Sequence, residues 1–122
     1  MTNVTELVIK HMNIWSETDP SKRKRMIDEV YAKDCVVFDP FFPEPFTGHE
    51  GLVRLIEDVQ GKFPGKIFTA VPGSMNEHHN QVRMAWNLGP SMQPSAVTGQ
   101  DFLLLENGYI KSCTVYLDLP EE

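Results

Sequence analysis

Asn107-Gly108 stands between two runs of alternating apolar and polar residues, and this arrangement constrains the chain more than any other feature. Asn-Gly places two residues that tolerate left-handed backbone where a tight hairpin demands them. The flanking runs, Ala96–Glu106 and Tyr109–Leu117, are therefore read as antiparallel neighbours. Two earlier runs, Ile67–Met75 and His78–Leu88, alternate in the same way, with Asn76-Glu77 as the turn signal between them. The C-terminal half is thus expected to be four strands of one antiparallel sheet.

The N-terminal half follows a helical period. Val4, Leu7, Val8, His11, Ile14 and Trp15 form one stripe of a helix over Asn3–Ser16. Thr18-Asp19-Pro20-Ser21 ends it, with Asp19 or Ser21 as the next cap and Pro20 suited to a first turn. A second helix is predicted over Ser21–Ala32 and a third over His49–Phe63, the latter closed by Pro64-Gly65. Between them, Cys35-Val36-Val37-Phe38-Asp39 reads as a strand stopped by Pro40. The prolines and glycine of Phe41–Gly48 predict irregular chain. The expected fold class is α+β, a curved antiparallel sheet with three helices packed on its concave face.

One domain is expected from 122 residues. The net charge of −6 argues against a nucleic-acid surface, which needs a basic stripe against phosphate. Lys22-Arg23-Lys24-Arg25 is read as a solvated helix face. No apolar run reaches the ~20 residues that span a bilayer, and the N-terminus lacks a basic region followed by an apolar block. A cytoplasmic protein without membrane contact is expected. Cys35 and Cys113 have no CxxC partner and are read as reduced core thiols. His78-His79, read as strand neighbours pointing opposite ways, do not suggest a metal site, and no metal or cofactor is expected.

Strand parity exposes two anomalies. Val97, Gly99, Asp101, Leu103 and Leu105 share one face, so a carboxylate sits among aliphatic residues. Asp39 shares its parity with Val37 and Cys35. A carboxyl on an apolar face is raised in pKa by desolvation, which suits it to acid or base work near neutral pH. Phe41, Phe42 and Phe46 are candidates to cover such a site.

Tyr31-Ala32-Lys33-Asp34-Cys35-Val36-Val37-Phe38-Asp39-Pro40, followed by Gly48, resembles the nuclear transport factor two-like superfamily, in its SnoaL-like and ketosteroid-isomerase-like branches. Trp86, Asp101 and Gly108-Tyr109-Ile110 extend the likeness over nearly the whole chain. The resemblance implies a cone-shaped roll enclosing a small-molecule cavity, and cofactor-free acid/base proton transfer on an apolar carbonyl compound. It implies Asp39 as proton shuttle and Asp101 as hydrogen-bond donor or second acid; His11, on the inward stripe of the first helix, is a third candidate for proton transfer. The oxyanion tyrosine of the isomerases corresponds to Ile14 or Trp15 here, which favours the alternative of a non-catalytic pocket for a small lipophilic ligand, or a dimeric interaction module. Trp15, Tyr31, Val37, Phe42, Leu55, Val82, Met84, Trp86, Cys113, Val115 and Leu117 are the expected lining. A homodimer through the outer sheet face, around Phe102, Leu104 and Tyr116, is also expected.

Overall fold

The computed structural model describes residues 3–90 and 97–118. Ala96, expected to open a strand, lies outside the described residues. Helix α1 (Val4–Ser16) is capped by Asn3, whose side chain accepts from the Glu6 N–H. Asp19 caps α2 (Pro20–Val30), accepting from Ser21 and Lys22 N–H groups at 2.9 and 3.3 Å, with Pro20 at the first position. Strand β1 (Tyr31–Phe38) follows directly. A short β2 (Phe46–Thr47) and α3 (Gly48–Lys62) come next, then β3 (Ile67–Ala70), β4 (Asn76–His78), β5 (Gln81–Gly89), β6 (Val97–Glu106) and β7 (Tyr109–Leu117).

The seven strands form one curved, unclosed sheet in the order β2-β1-β7-β6-β5-β3, with β4 also on β5. All pairings are antiparallel except β1 on β7. The inward face and the helices share a core that includes Leu7, Ile14, Ile27, Tyr31, Val37, Leu52, Leu55, Met84, Leu103 and Cys113. Among the described residues no helix is long and apolar enough to cross a membrane.

Several expectations are corrected. The first strand begins at Tyr31 and stops at Phe38, so Asp39 lies just beyond it. Phe46-Thr47 is not irregular; it pairs with Val37 and Val36. The single strand expected over Ile67–Met75 is broken, because Pro72 and Gly73 (φ 76°) eject the chain from the ladder. Ser74 fills the gap: its hydroxyl accepts from Ala85 N–H at 3.0 Å and donates to the Val71 carbonyl at 2.7 Å. The turn into β5 is then His79-Asn80, at φ 51° and 61°, not Asn76-Glu77. That turn also corrects the reading of His78 and His79 as pointing apart, since it brings their Nδ1 atoms to 2.9 Å. The Asn107-Gly108 hairpin forms as expected, with both residues left-handed at φ 53° and 82°.

The basic run is also not uniformly solvated. Arg23, Ile27 and Val30 share the buried stripe of α2, and Arg23 is only 3% exposed. Its guanidinium donates to the Glu17 carbonyl and to Gln60 Oε1, tying the α1–α2 junction to α3. Cys35 and Cys113 are free and buried.

Candidate active site

Each candidate side chain arrives by a simple periodicity. His11 and Trp15 are one helical turn apart on the inward face of α1. Tyr31 opens β1 directly after the α2 stripe. Met84 pairs with Asp101 and Trp86 with Gly99 in the β5–β6 register, so Trp86 and Asp101 both face the core. Gly99 is what allows this. A Cβ there would collide with the Trp86 indole and the Tyr116 carbonyl oxygen, so the missing side chain lets the indole lie across β6 and reach Asp101.

The result is a buried polar chain. Trp15 Nε1 donates to the Tyr31 hydroxyl oxygen at 3.1 Å, and that hydroxyl bonds His11 Nδ1. His11 Nε2 lies 2.8 Å from Asp101 Oδ2, and Trp86 Nε1 donates to Asp101 Oδ1 at 2.8 Å. His11 is 0% and Asp101 4% exposed. Counting donors assigns the tautomer. Trp15 N–H donates to Tyr31, Tyr31 O–H to Nδ1, Nε2–H to one carboxylate oxygen, and Trp86 N–H to the other. Every donor is then used, and only carboxylate lone pairs remain. Burial pushes the Tyr31 phenol well above its ordinary range, which keeps it a donor.

This chain closes one end of a cavity of about 230 Å³ between the helices and the sheet. Met12, Trp15, Phe68, Trp86, Leu88 and Val97 line it, with Val115 and Leu117 of β7. Asp101 lies on its wall, deeply buried. Asp39, Phe41, Phe42, Asp58 and Lys62 also line it, and their greater exposure marks the mouth. Asp39 is half-buried, and Oδ1 accepts from Phe41 N–H at 2.9 Å. Burial raises its pKa above the ordinary carboxylate value; the Phe41 bond and the Lys62 charge act the other way.

Of the expected lining, Trp15, Phe42, Trp86, Val115 and Leu117 reach the cavity. Val37, Leu55, Val82, Met84 and Cys113 do not; each is at most 2% exposed and belongs to the core. Tyr31 is held one layer back, behind His11. Sequence reasoning missed Met12, Val59, Phe63, Phe68, Leu88 and Val97. The α3 stripe runs through Leu52, Leu55, Ile56 and Val59, and only its C-terminal end borders the opening. Among the described residues, His11, Asp101 and Cys113 form a grouping of metal-ligand atom types, all within 4.8 Å. Burial pushes the Cys113 thiol well above its ordinary range, and the His11–Asp101 pair is already joined by a hydrogen bond, so an ion there would have to displace both a thiol proton and that bond.

No protein-family model and no curated protein matches this sequence. Solved structures do. A proposed isomerase of the SnoaL-like family from Agrobacterium tumefaciens str. C58 superposes with a TM-score of 0.84 at 25% identity, over 94% of this chain and 97% of that one. The fold is that of the SnoaL-like branch of the nuclear transport factor two-like superfamily. The same SnoaL-like architecture superposes on a proposed SnoaL-like polyketide cyclase from Jannaschia sp. CCS1, with a TM-score of 0.74 at 14% identity over 93% of this chain and 84% of that one. It also superposes on a proposed ketosteroid isomerase from Kribbella flavida DSM 17836, with a TM-score of 0.71 at 17% identity over 96% and 78%. At the lower identities the likeness is one of fold, and function has to be argued from the cavity itself.

Proposed function

We propose that the cavity binds a small apolar carbonyl compound and moves a proton on it without a cofactor. The observation that carries this reading is the saturated Tyr31–His11–Asp101 chain ending in a carboxylate on the cavity wall. Such a site can accept protons and has no donor left over. Asp101 takes a proton from the carbon next to the carbonyl, leaving an enolate and a carboxylic acid. His11 and Trp86 hold the carboxylate in place through fixed hydrogen bonds. Asp39 sits at the mouth of the same cavity, as a second carboxyl that can exchange a proton with the ligand. Return of the proton to a different carbon completes an isomerisation; attack of the enolate on a second carbonyl, whose oxygen then takes the proton back from Asp101, completes a ring closure. The SnoaL-like fold of the neighbours named as isomerase and cyclase supports the same class.

The test uses 2-tetralone, a two-ring ketone with acidic hydrogens beside its carbonyl. Wild-type protein is expected to accelerate their exchange for deuterium in D2O, followed by proton NMR. Asp101→Asn is expected to lower that rate at least about 100-fold while retaining the fold. Exchange at the wild-type rate in Asp101→Asn would remove this residue from the chemistry. The second reading, a non-catalytic pocket for a small lipophilic ligand, is favoured by the first helix. Ile14 is fully buried and the Trp15 N–H is spent on Tyr31, so neither offers an oxyanion donor. Quenching of tryptophan fluorescence by 2-tetralone without exchange is its signature.

The outer sheet face supports a homodimer. Phe102, Leu104 and Tyr116 are 44%, 49% and 56% exposed, in a groove of about 770 Å³ on the side away from the helices. Among the described residues no acidic side chain lines this groove, where Arg83 is the charged member beside His78 and neutral polar groups. Two copies can therefore approach there without bringing carboxylates together.

A further inference from the structure

The charge that a ligand can carry is set by the residues around the cavity. Among the described residues, three carboxyl groups, Asp39, Asp58 and Asp101, line it with one ammonium, Lys62. The ammonium is already committed. Lys62 Nζ lies 3.0 Å from Asp58 Oδ2, and stands 5.3 and 5.0 Å from the ring centroids of Phe41 and Phe42. Lys66 stands in the same way over Phe63, another lining residue, at 5.1 Å. The ring faces at the mouth are thus seen holding ammonium groups. Neither residues 91–96, which join the strand ends bearing Leu88 and Val97, nor residues 119–122 beyond Leu117 carry a cationic side chain.

We infer that this cavity selects by charge, admitting uncharged and cationic aromatic compounds and rejecting carboxylates. The inference rests on the reading of the cavity as a ligand site. An entering carboxylate gives up hydration, meets like charges at the mouth and again at the wall, and faces the negative side of aromatic rings. An ammonium of the same shape meets opposite charges and ring faces that attract it. A neutral ligand avoids both effects and is held by its apolar surface. The natural ligand is therefore an aromatic carbonyl compound whose remaining polar groups are neutral or cationic, without a carboxylate.

Three naphthalenes of one shape separate these cases by isothermal titration calorimetry at pH 7: 2-naphthalenemethanol, 2-naphthylmethylammonium and 2-naphthoate. The alcohol and the ammonium are expected to bind, and 2-naphthoate to bind at least about tenfold more weakly than either. Replacing Asp39 and Asp58 together by Asn is expected to narrow the gap between naphthoate and the alcohol. Equal affinity for all three probes overturns the charge selection while leaving the cavity a ligand site. Failure of the alcohol to bind overturns both that reading and this inference.

Discussion

Asp39 shows how one residue couples the site to stability. Its carboxyl sits at the end of β1, half-buried, with one backbone N–H as partner. A raised folded-state pKa means that the folded chain holds this proton more tightly than the unfolded chain. The associated stability is complete below the unfolded value of about 3.9 and is lost as pH rises through the folded value. Ionised Asp39 is therefore a liability to the fold at neutral pH. Asp39→Asn is expected to have a higher Tm than wild type at pH 7, and no such advantage at pH 3, where wild type is protonated. Thermal melts followed by circular dichroism at the two pH values check this. A neutral-pH Tm below wild type would show that the ionised carboxylate is stabilised where it lies. Asp101 differs in its partners, with His11 on one oxygen and Trp86 on the other. The sequence marked both carboxyls by their apolar company. Parity placed Asp101 correctly; it overstated Asp39, because the strand ends one residue sooner.

Among the elements, the β5–β6 ladder does most to build the site. It sets Trp86 opposite Gly99 and Met84 opposite Asp101, so the indole crosses β6 and meets the carboxylate two pairs further along, on the same face. Filling Gly99 blocks that crossing from two sides, one of them backbone. Gly99→Ala is expected to cost about 1–3 kcal/mol of stability by overpacking, and to weaken the near-ultraviolet signal of Trp86. Urea unfolding and near-ultraviolet circular dichroism measure the two effects. An unaltered midpoint would mean that the indole has room to move. The edge of the same sheet shows where reading by element falls short. Alternation continued through Ile67–Met75, yet Pro72-Gly73 divides it, and Ser74 replaces ladder bonds with its hydroxyl. His79-Asn80 forms the left-handed turn without the Asn-Gly signature, while Asn76 and Glu77 pair with Arg83 and Val82 in β4.

For the molecule as a whole, the helices cover one face of the sheet, and among the described residues Phe102, Leu104 and Tyr116 stay exposed on the other. Phe102 and Tyr116 meet edge to face there, with centroids 5.4 Å apart. Sedimentation equilibrium is expected to give twice the chain mass of 13.9 kDa for wild type. The pair of substitutions Phe102→Glu and Tyr116→Glu is expected to give the single-chain mass with unchanged circular dichroism, because it places like charges where two copies meet. A wild-type chain that sediments at the single mass at every concentration removes this interface.

Local physics was legible in the sequence alone. The helical stripes of α1 and α3, the Asp19-Pro20 start of α2, the Asn107-Gly108 hairpin and the inward faces of β5, β6 and β7 each depend on residues within a few positions of one another. Tertiary structure alone decided what lies between those elements. The parallel pairing of β1 with β7 joins segments some seventy residues apart in sequence, and no local pattern encodes it. The same holds for the polar chain from Tyr31 through His11 to Asp101, whose members come from three elements. It also separates lining from core. Val82, Met84 and Trp86 share one parity, but only Trp86 borders the cavity, because the volume left by the packed helices opens at one end of the sheet. Periodicity tells which way a side chain faces; whether it meets another side chain or a void depends on how distant elements pack.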